Sequence, residues 1–259
     1  AWPERGRRAV RALACVLILA GAVNNAHQLV KAAEAALREL VEADRVDEAT
    51  KLVIVCNPNN PTGTWLPERE LRAFVEQVPG NVIVVIDEAY FEYVNEPDYP
   101  NAVQWVGQFP NLLVTRTFSK AYGLAALRIG YGVSQAPLAD ILNRVRQPFN
   151  VNSFALAAAL AALADQDHLA ASVQANRAGM QQLVAGLRAL RLDFIPSVGN
   201  FVAVDVRRDA GRVYEQLLRE GVIVRPVENY AMPGYLRISI GLSDENRRAL
   251  EALARVLTP

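Results

Sequence analysis

Cysteine and histidine are scarce in this 259-residue chain, and neither sign of charge is in excess. Cys15 and Cys56 lie far apart, each inside an apolar run, so they fit neither a disulfide framework nor a thiolate metal site. That usage suits a reducing compartment such as the cytoplasm. His27 and His168 are the only histidines, which excludes a histidine-rich metal centre and leaves a Ser–His triad few candidates. Twenty-seven Lys and Arg residues balance 27 Asp and Glu. Without a basic excess there is no electrostatic reason to expect a nucleic acid or an anionic membrane as partner. A membrane-spanning run is lacking too. The longest apolar stretch, Ala12 to Val23 with Gly21 inside it, is too short to cross a bilayer as a helix. It follows a basic start and precedes small residues, the layout of a secretory signal peptide. The preferred reading is a buried helix or strand of the core.

What is present is the composition of a soluble globule: 52% hydrophobic and 21% charged, with length enough for one large domain or two smaller ones. From Lys51 the pattern is regular. KLVIVC (Lys51–Cys56), NVIVVID (Asn81–Asp87) and NLLVTRTF (Asn111–Phe118) are short, β-branched and nearly continuous in apolarity, as strands buried on both faces are. Between the first two, LPERELRAFVEQVPG has helical apolar spacing, with Pro67 near its start and Pro79–Gly80 closing it. Strand, helix, strand at this spacing makes a βαβ unit in a mostly parallel sheet, and LRIGYGV (Leu127–Val133) adds one further strand. Residues 137–190 are Ala- and Leu-rich and helical, broken near RQPFNVNS. After Asp193 come FIPSVGNFVAVDV, a helix GRVYEQLLREG, strands VIVRPV and YLRISIGL, and a last helix from SDENRRALEAL with Ser243 as its N-cap. The expected division is a large domain over 1–165 and a smaller α+β domain over 166–259.

Three strand ends carry the polar residues of interest, and in open α/β sheets ligands sit beyond the strands' carboxyl ends. NPNNPTG (Asn57–Gly63) follows the first strand, Asp87 ends the second, and TFSK (Thr117–Lys120) ends the third. Each has a plain structural reading: a turn, a helix-capping carboxylate and a solvated lysine. The lysine reading is weakened by its neighbours Phe118, Ala121 and Tyr122. Together the three ends bring one carboxylate, one amide, one lysine, two hydroxyls and an arginine, Arg128, to one crevice. That set suits an aldehyde cofactor with a ring nitrogen and a phosphate: a lysine for the imine, a carboxylate for the ring nitrogen, hydroxyls and an arginine for the phosphate.

The motifs NPNNPTG, DEAYFEY, TFSKAYGLAALRIGY, GNF and VRPVENYAMPGYLRISIG resemble, in order and near spacing, those of the fold-type I pyridoxal-phosphate aminotransferases, and within them the histidinol-phosphate aminotransferases. The resemblance runs from about Lys51 to the C-terminus. It implies a three-layer α/β large domain of the aspartate-aminotransferase type, with a smaller C-terminal α+β domain, and pyridoxal 5'-phosphate as cofactor. Lys120 would hold it covalently and move the substrate proton, Asp87 would pair with the ring nitrogen, and Asn60 and Tyr90 would bond the 3' oxygen. Thr117, Ser119 and Arg128 would contact the phosphate. Arg237 would take the carboxylate of the amino donor, glutamate, and Arg225 the phosphate of histidinol phosphate, with Asn200 a further substrate-side candidate. No metal is implied. The reaction would exchange an amino group between glutamate and imidazole-acetol phosphate in histidine biosynthesis, in a cytoplasmic homodimer.

Residues 1–45 depart from the resemblance. The Gly-rich phosphate turn, the aromatic residue that stacks on the ring and the N-terminal arm of such enzymes have no counterpart before Lys51. The chain is therefore expected to be an N-terminally truncated member, with two alternatives: an incomplete or inactive remnant, or a related enzyme such as an aromatic aminotransferase or a threonine-phosphate decarboxylase.

Overall fold

A computed structural model describes the backbone of residues 13–16, together with residues 46 and 49–257. The first sheet has five strands in the order β1 (Leu13–Val16), β2 (Leu52–Cys56), β3 (Ile83–Asp87), β4 (Leu112–Thr117) and β5 (Gly130–Ser134). The first four are parallel and β5 runs antiparallel to β4. Only a 3₁₀ turn at Ala125–Leu127 lies between β4 and β5, and so short a link without a crossover helix returns the chain antiparallel. Within the apolar stretch Ala12–Val23, Leu13–Val16 forms a strand that pairs with β2. The rest of that stretch lies outside the described residues.

Helix α1 (Glu68–Gln77) joins β2 to β3. Pro67 stands at its N-cap, Glu68 and Glu70 occupy the first turn, and acidic groups there favour the helix dipole. Its buried face, Leu71, Phe74 and Val75, follows the i, i+3, i+4 stripe of a helix lying on a sheet. That face packs with Val53, Val55, Val84 and Ile86 in one core. The intervening Ile54 and Val85 are half-buried, so among the described residues the continuous apolar strands are fully buried on one face only.

The second sheet is antiparallel, in the order β6 (Asp193–Ile195), β7 (Phe201–Asp205), β9 (Tyr235–Ser239), β8 (Arg225–Pro226). Helices α2 (Ala136–Val145) and α3 (Ser153–Ala164) precede the long α4 (Gln166–Ala189). Asp165 caps α4 by accepting from the His168 N–H at 3.0 Å. Helices α4, α5 (Ala210–Arg219) and α6 (Ser243–Leu257) supply Leu183, Leu187, Leu217 and Leu253 against Val202, Val204, Leu236 and Ile238. Two local expectations shift. Ser243 is the first residue of α6 and not its N-cap; the Glu245 carboxylate reaches back to accept from the Leu242 N–H at 2.7 Å. The strand expected over VIVRPV shortens to Arg225–Pro226, since proline has no N–H to give a ladder and is confined to a sheet edge.

The two sheets are joined by one loop on another. Gly63 has φ +75, and a Cβ there would lie 1.9 Å from Ser197 Oγ. The Val198 N–H donates to the Gly63 carbonyl at 3.0 Å. A side chain at position 63 would thus fail on backbone conformation and on space.

Candidate active site

Parallel pairing in register aligns Cys56 with Asp87 and Asp87 with Thr115, so the ends of β2, β3 and β4 form one row. Above it opens a cavity of about 750 Å³ whose lining includes Asn60, Asp87, Tyr90, Thr117, Ser119 and Lys120, with Arg128 at its rim. Seven of the ten residues singled out from the sequence therefore share one cleft.

Each is fixed by local structure. Asp87 accepts from Thr115 Oγ1 at 3.2 Å, and burial pushes its carboxyl up, against the Thr115 and Ala89 hydrogen bonds and the charge of Lys120. Lys120 follows β4 in a turn pinned by Leu124 N–H to the Phe118 carbonyl and Gly123 N–H to the Lys120 carbonyl, both 2.9 Å. Gly123 there has φ +73, a conformation that suits glycine. Burial lowers the Lys120 ammonium from 10.5, Arg237 and Arg128 lower it further, and Asp87 opposes them. Its Nζ lies 5.3 Å from the centre of the Tyr90 ring. Burial first, with Asp87 adding, pushes the Tyr90 hydroxyl up to about 12, so it stays a donor at neutral pH.

Thr117 Oγ1 accepts from the Ser119 N–H at 3.1 Å, which folds both hydroxyls towards the cleft. Arg128 holds a left-handed φ of 53, a strained state for a non-glycine residue of the kind found at ligand clamps. Its Nη1 donates to the Ala125 carbonyl at 2.9 Å.

The second sheet contributes Arg237. In β9 its neighbours Leu236 and Ile238 are buried, so strand alternation turns Arg237 to the opposite face, towards the first sheet. Its Nη1 donates to Asn60 Oδ1 at 2.5 Å, and its buried Nε has no partner. Arg225 is the register partner of Arg237 on the edge strand; it is exposed and outside the cavity lining. Asn200 is also outside the lining, its side chain hydrogen-bonded to Tyr93.

Sequence reading missed Thr115, which strand alternation with Thr117 marks, and Tyr230, a cleft residue in a 3₁₀ turn between β8 and β9 for which the sequence carries no local signal. Arg116 also reaches the cleft wall, but its guanidinium is committed to Glu88 Oε2 at 2.7 and 2.9 Å. Glu88 is fully buried, and its other oxygen accepts from the Ala102 N–H at 3.0 Å. Among the described residues no cluster could hold a metal ion, and no helix is long and apolar enough to cross a membrane.

Fold and site define a class. The family described as aminotransferase class I and II matches residues 8–253, and the chain belongs to that family. The match begins well before Lys51, so the likeness extends further towards the N-terminus than the motifs alone carry it. Histidinol-phosphate aminotransferase 2 of Pseudomonas fluorescens is 62% identical over 212 residues, covering 82% of this chain and 57% of that protein. A histidinol-phosphate aminotransferase of Sinorhizobium meliloti, solved in complex with pyridoxal-5'-phosphate, superposes with a TM-score of 0.77 at 34% identity, over 85% of this chain and 61% of that one. An aspartate aminotransferase variant of Thermus thermophilus covers 94% of this chain and 72% of its own, with a TM-score of 0.75 at 26% identity. The fold is that of the aspartate aminotransferases. The chain spans about 57% of the length of the first of these relatives.

Proposed function

We propose that this chain carries the site of a pyridoxal-phosphate-dependent transaminase that exchanges an amino group between glutamate and imidazole-acetol phosphate, yielding histidinol phosphate. The observation that carries this reading is a partly buried lysine amine and a strand-end carboxylate in one cleft, with a buried arginine donor unpartnered at its edge.

The residues fit the cofactor on their own chemistry. Asp87 is a half-buried carboxylate whose pKa burial raises, and a protonated ring nitrogen would give it a close partner charge; at an effective dielectric near 20 such a pair is worth about 5 kcal/mol before desolvation. Asn60 and the Tyr90 hydroxyl are the partners for the ring oxygen. Thr117, Ser119 and the forked guanidinium of Arg128 suit a phosphate. Pyridoxal phosphate, when bound, supplies a ring that accepts the electron pair left on carbon when a C–H bond breaks.

The chain's own groups do the rest. Lys120, lowered by burial and by two arginines, presents a neutral amine at a lower pH than a free lysine, as a nucleophile and proton carrier must. Arg237 takes the donor's carboxylate on its unpartnered edge, and Asn60 holds the guanidinium from the other side. Arg225, on the same face, is assigned to the phosphate of the second substrate, and Asn200 acts behind the site through Tyr93. The reaction takes place in the cytoplasm.

A second copy of the chain is the partner we assign. Helix α3 is apolar all round, yet among its residues only Ala155 and Ala159 are buried. Phe149 and Phe154 are 97% and 82% exposed. A helix of that kind is built to be covered on every side, and sedimentation should report a dimer.

Turnover is the test. With pyridoxal phosphate added, histidinol phosphate and 2-oxoglutarate should give glutamate, and Arg225→Ala should raise KM for histidinol phosphate about tenfold or more with little change for glutamate. Equal KM values would remove Arg225 from the phosphate. Carbon dioxide release from threonine phosphate would replace the transaminase by a decarboxylase. Cofactor binding without either activity would favour an incomplete remnant.

A further inference from the structure

Lys120 lines the cleft, Arg237 reaches its edge through Asn60, and a pair of aromatic rings links the two cations. Lys120 Nζ lies over Tyr90 at 5.3 Å, Tyr90 meets the Phe201 ring edge-to-face at 5.2 Å and 77°, and Phe201 carries the Arg237 guanidinium at 5.2 Å from its centre. Phe201 is 2% exposed. In the β7–β9 register Ala203 lies opposite Arg237 and Phe201 opposite Ser239, so Phe201 is the diagonal neighbour of Arg237 on one face. The small Ala203 directly opposite leaves the ring room to reach under the guanidinium. Gly199 makes space on the other side, since a Cβ there would stand 3.1 Å from Phe201 Cε1.

We propose that Phe201 is a positioning residue of the site: its buried ring sets where Arg237 presents its free edge to a substrate carboxylate, and it braces Tyr90 beside Lys120. The physical case is that of a cation held on an aromatic face inside a partly desolvated pocket. Arg237 makes one side-chain hydrogen bond, to Asn60 at 2.5 Å, and its Nε makes none. One bond leaves a long side chain free to pivot, and the ring removes that freedom before the carboxylate arrives. Repulsion from Arg237 is also among the influences that lower Lys120, after burial, so a guanidinium released from the ring should be felt at the amine.

The inference rests on the reading of Arg237 as the carboxylate holder, and the experiment separates the two. Maleate, an unreactive dicarboxylate, is titrated calorimetrically into the full chain, and the Lys120 amine is followed by carbon NMR of the reductively methylated protein. Phe201→Met keeps bulk and apolarity but loses the ring face, and should weaken maleate about tenfold while moving the Lys120 midpoint up. Phe201→Tyr keeps the face and should bind maleate within about twofold of the parent. Val202→Ala, one residue along and facing the other core, should lower the melting temperature with neither effect. Should Phe201→Met not fold, Gly199→Ala displaces the ring without removing it and should weaken maleate in the same direction. Parental maleate affinity in folded Phe201→Met, or in Gly199→Ala if that variant stands in for it, overturns the positioning role. If Arg237→Ala also binds as the parent does, the carboxylate reading of Arg237 falls first and takes this inference with it.

Discussion

The two sheets offer their functional groups in different ways. The parallel sheet presents them at strand ends, where Asp87, Thr117 and the turn carrying Lys120 leave the ladder side by side. The antiparallel sheet presents Arg237 from the middle of a strand, by alternation, with Leu236 and Ile238 holding the other face in the core. A strand-end group is placed by register alone. A mid-strand group depends on what packs on its own face and on how the two sheets dock. The first arrangement should tolerate damage to the docking, and the second should not.

Removing the half-buried carboxylate at the end of β3 should have the largest effect. Asp87→Ala is expected to lower turnover about 10²–10³-fold with cofactor bound, and steady-state rates at saturating cofactor measure it. The structural counterpart is Arg116→Ala, which leaves the Glu88 carboxylate buried without its cation and should destabilise the fold by about 3–5 kcal/mol. Burial already pushes Glu88 above 4.5, against Arg116. Its folded pKa is therefore raised above the unfolded one, and stability falls as pH rises through that window. In Arg116→Ala the window should widen upwards, so urea midpoints should differ less at pH 4 than at pH 7.

The docking comes next. Gly63→Ala meets both a left-handed backbone and the Ser197 side chain; the backbone alone costs about 1–2 kcal/mol. It should weaken maleate binding through Arg237 while leaving cofactor attachment to Lys120 nearly intact. Equal damage to both would erase the distinction between the sheets. The smallest effect is electrostatic: Arg237→Ala should move the midpoint of the Lys120 amine upwards, towards 10.5.

How far the sequence was readable follows the same division. β2, α1, β3 and β4 stand out because continuous β-branched runs and helical spacing are local patterns, and Asp87 and Lys120 fall where those patterns stop. The direction of β5 and the shortness of β8 depend on the tertiary return of the chain. Arg237 needed the family motif, because a lone arginine in a strand has no local signature. Phe201, beside Asn200 in the same GNF motif, has no functional signature in the sequence: an aromatic residue in a strand reads as core, and only the contacts show which cation it carries. Asn200 is a candidate only through the GNF motif, and the fold turns its side chain to Tyr93. Residues 17–45 lie outside the described structure.

Lys120 is the proposed attachment point of the cofactor, and the composition makes this directly testable, since Lys31, Lys51 and Lys120 are the only lysines in the chain. Pyridoxal phosphate is added to the intact protein, the adduct is reduced with borohydride, and the peptides are mapped by mass spectrometry. The prediction is a pyridoxyl group on the Lys120 peptide, at a yield that rises with pH through a midpoint below 10.5, and no visible absorbance band in Lys120→Ala. A label confined to Lys31 or Lys51, or an unchanged band in Lys120→Ala, would contradict it.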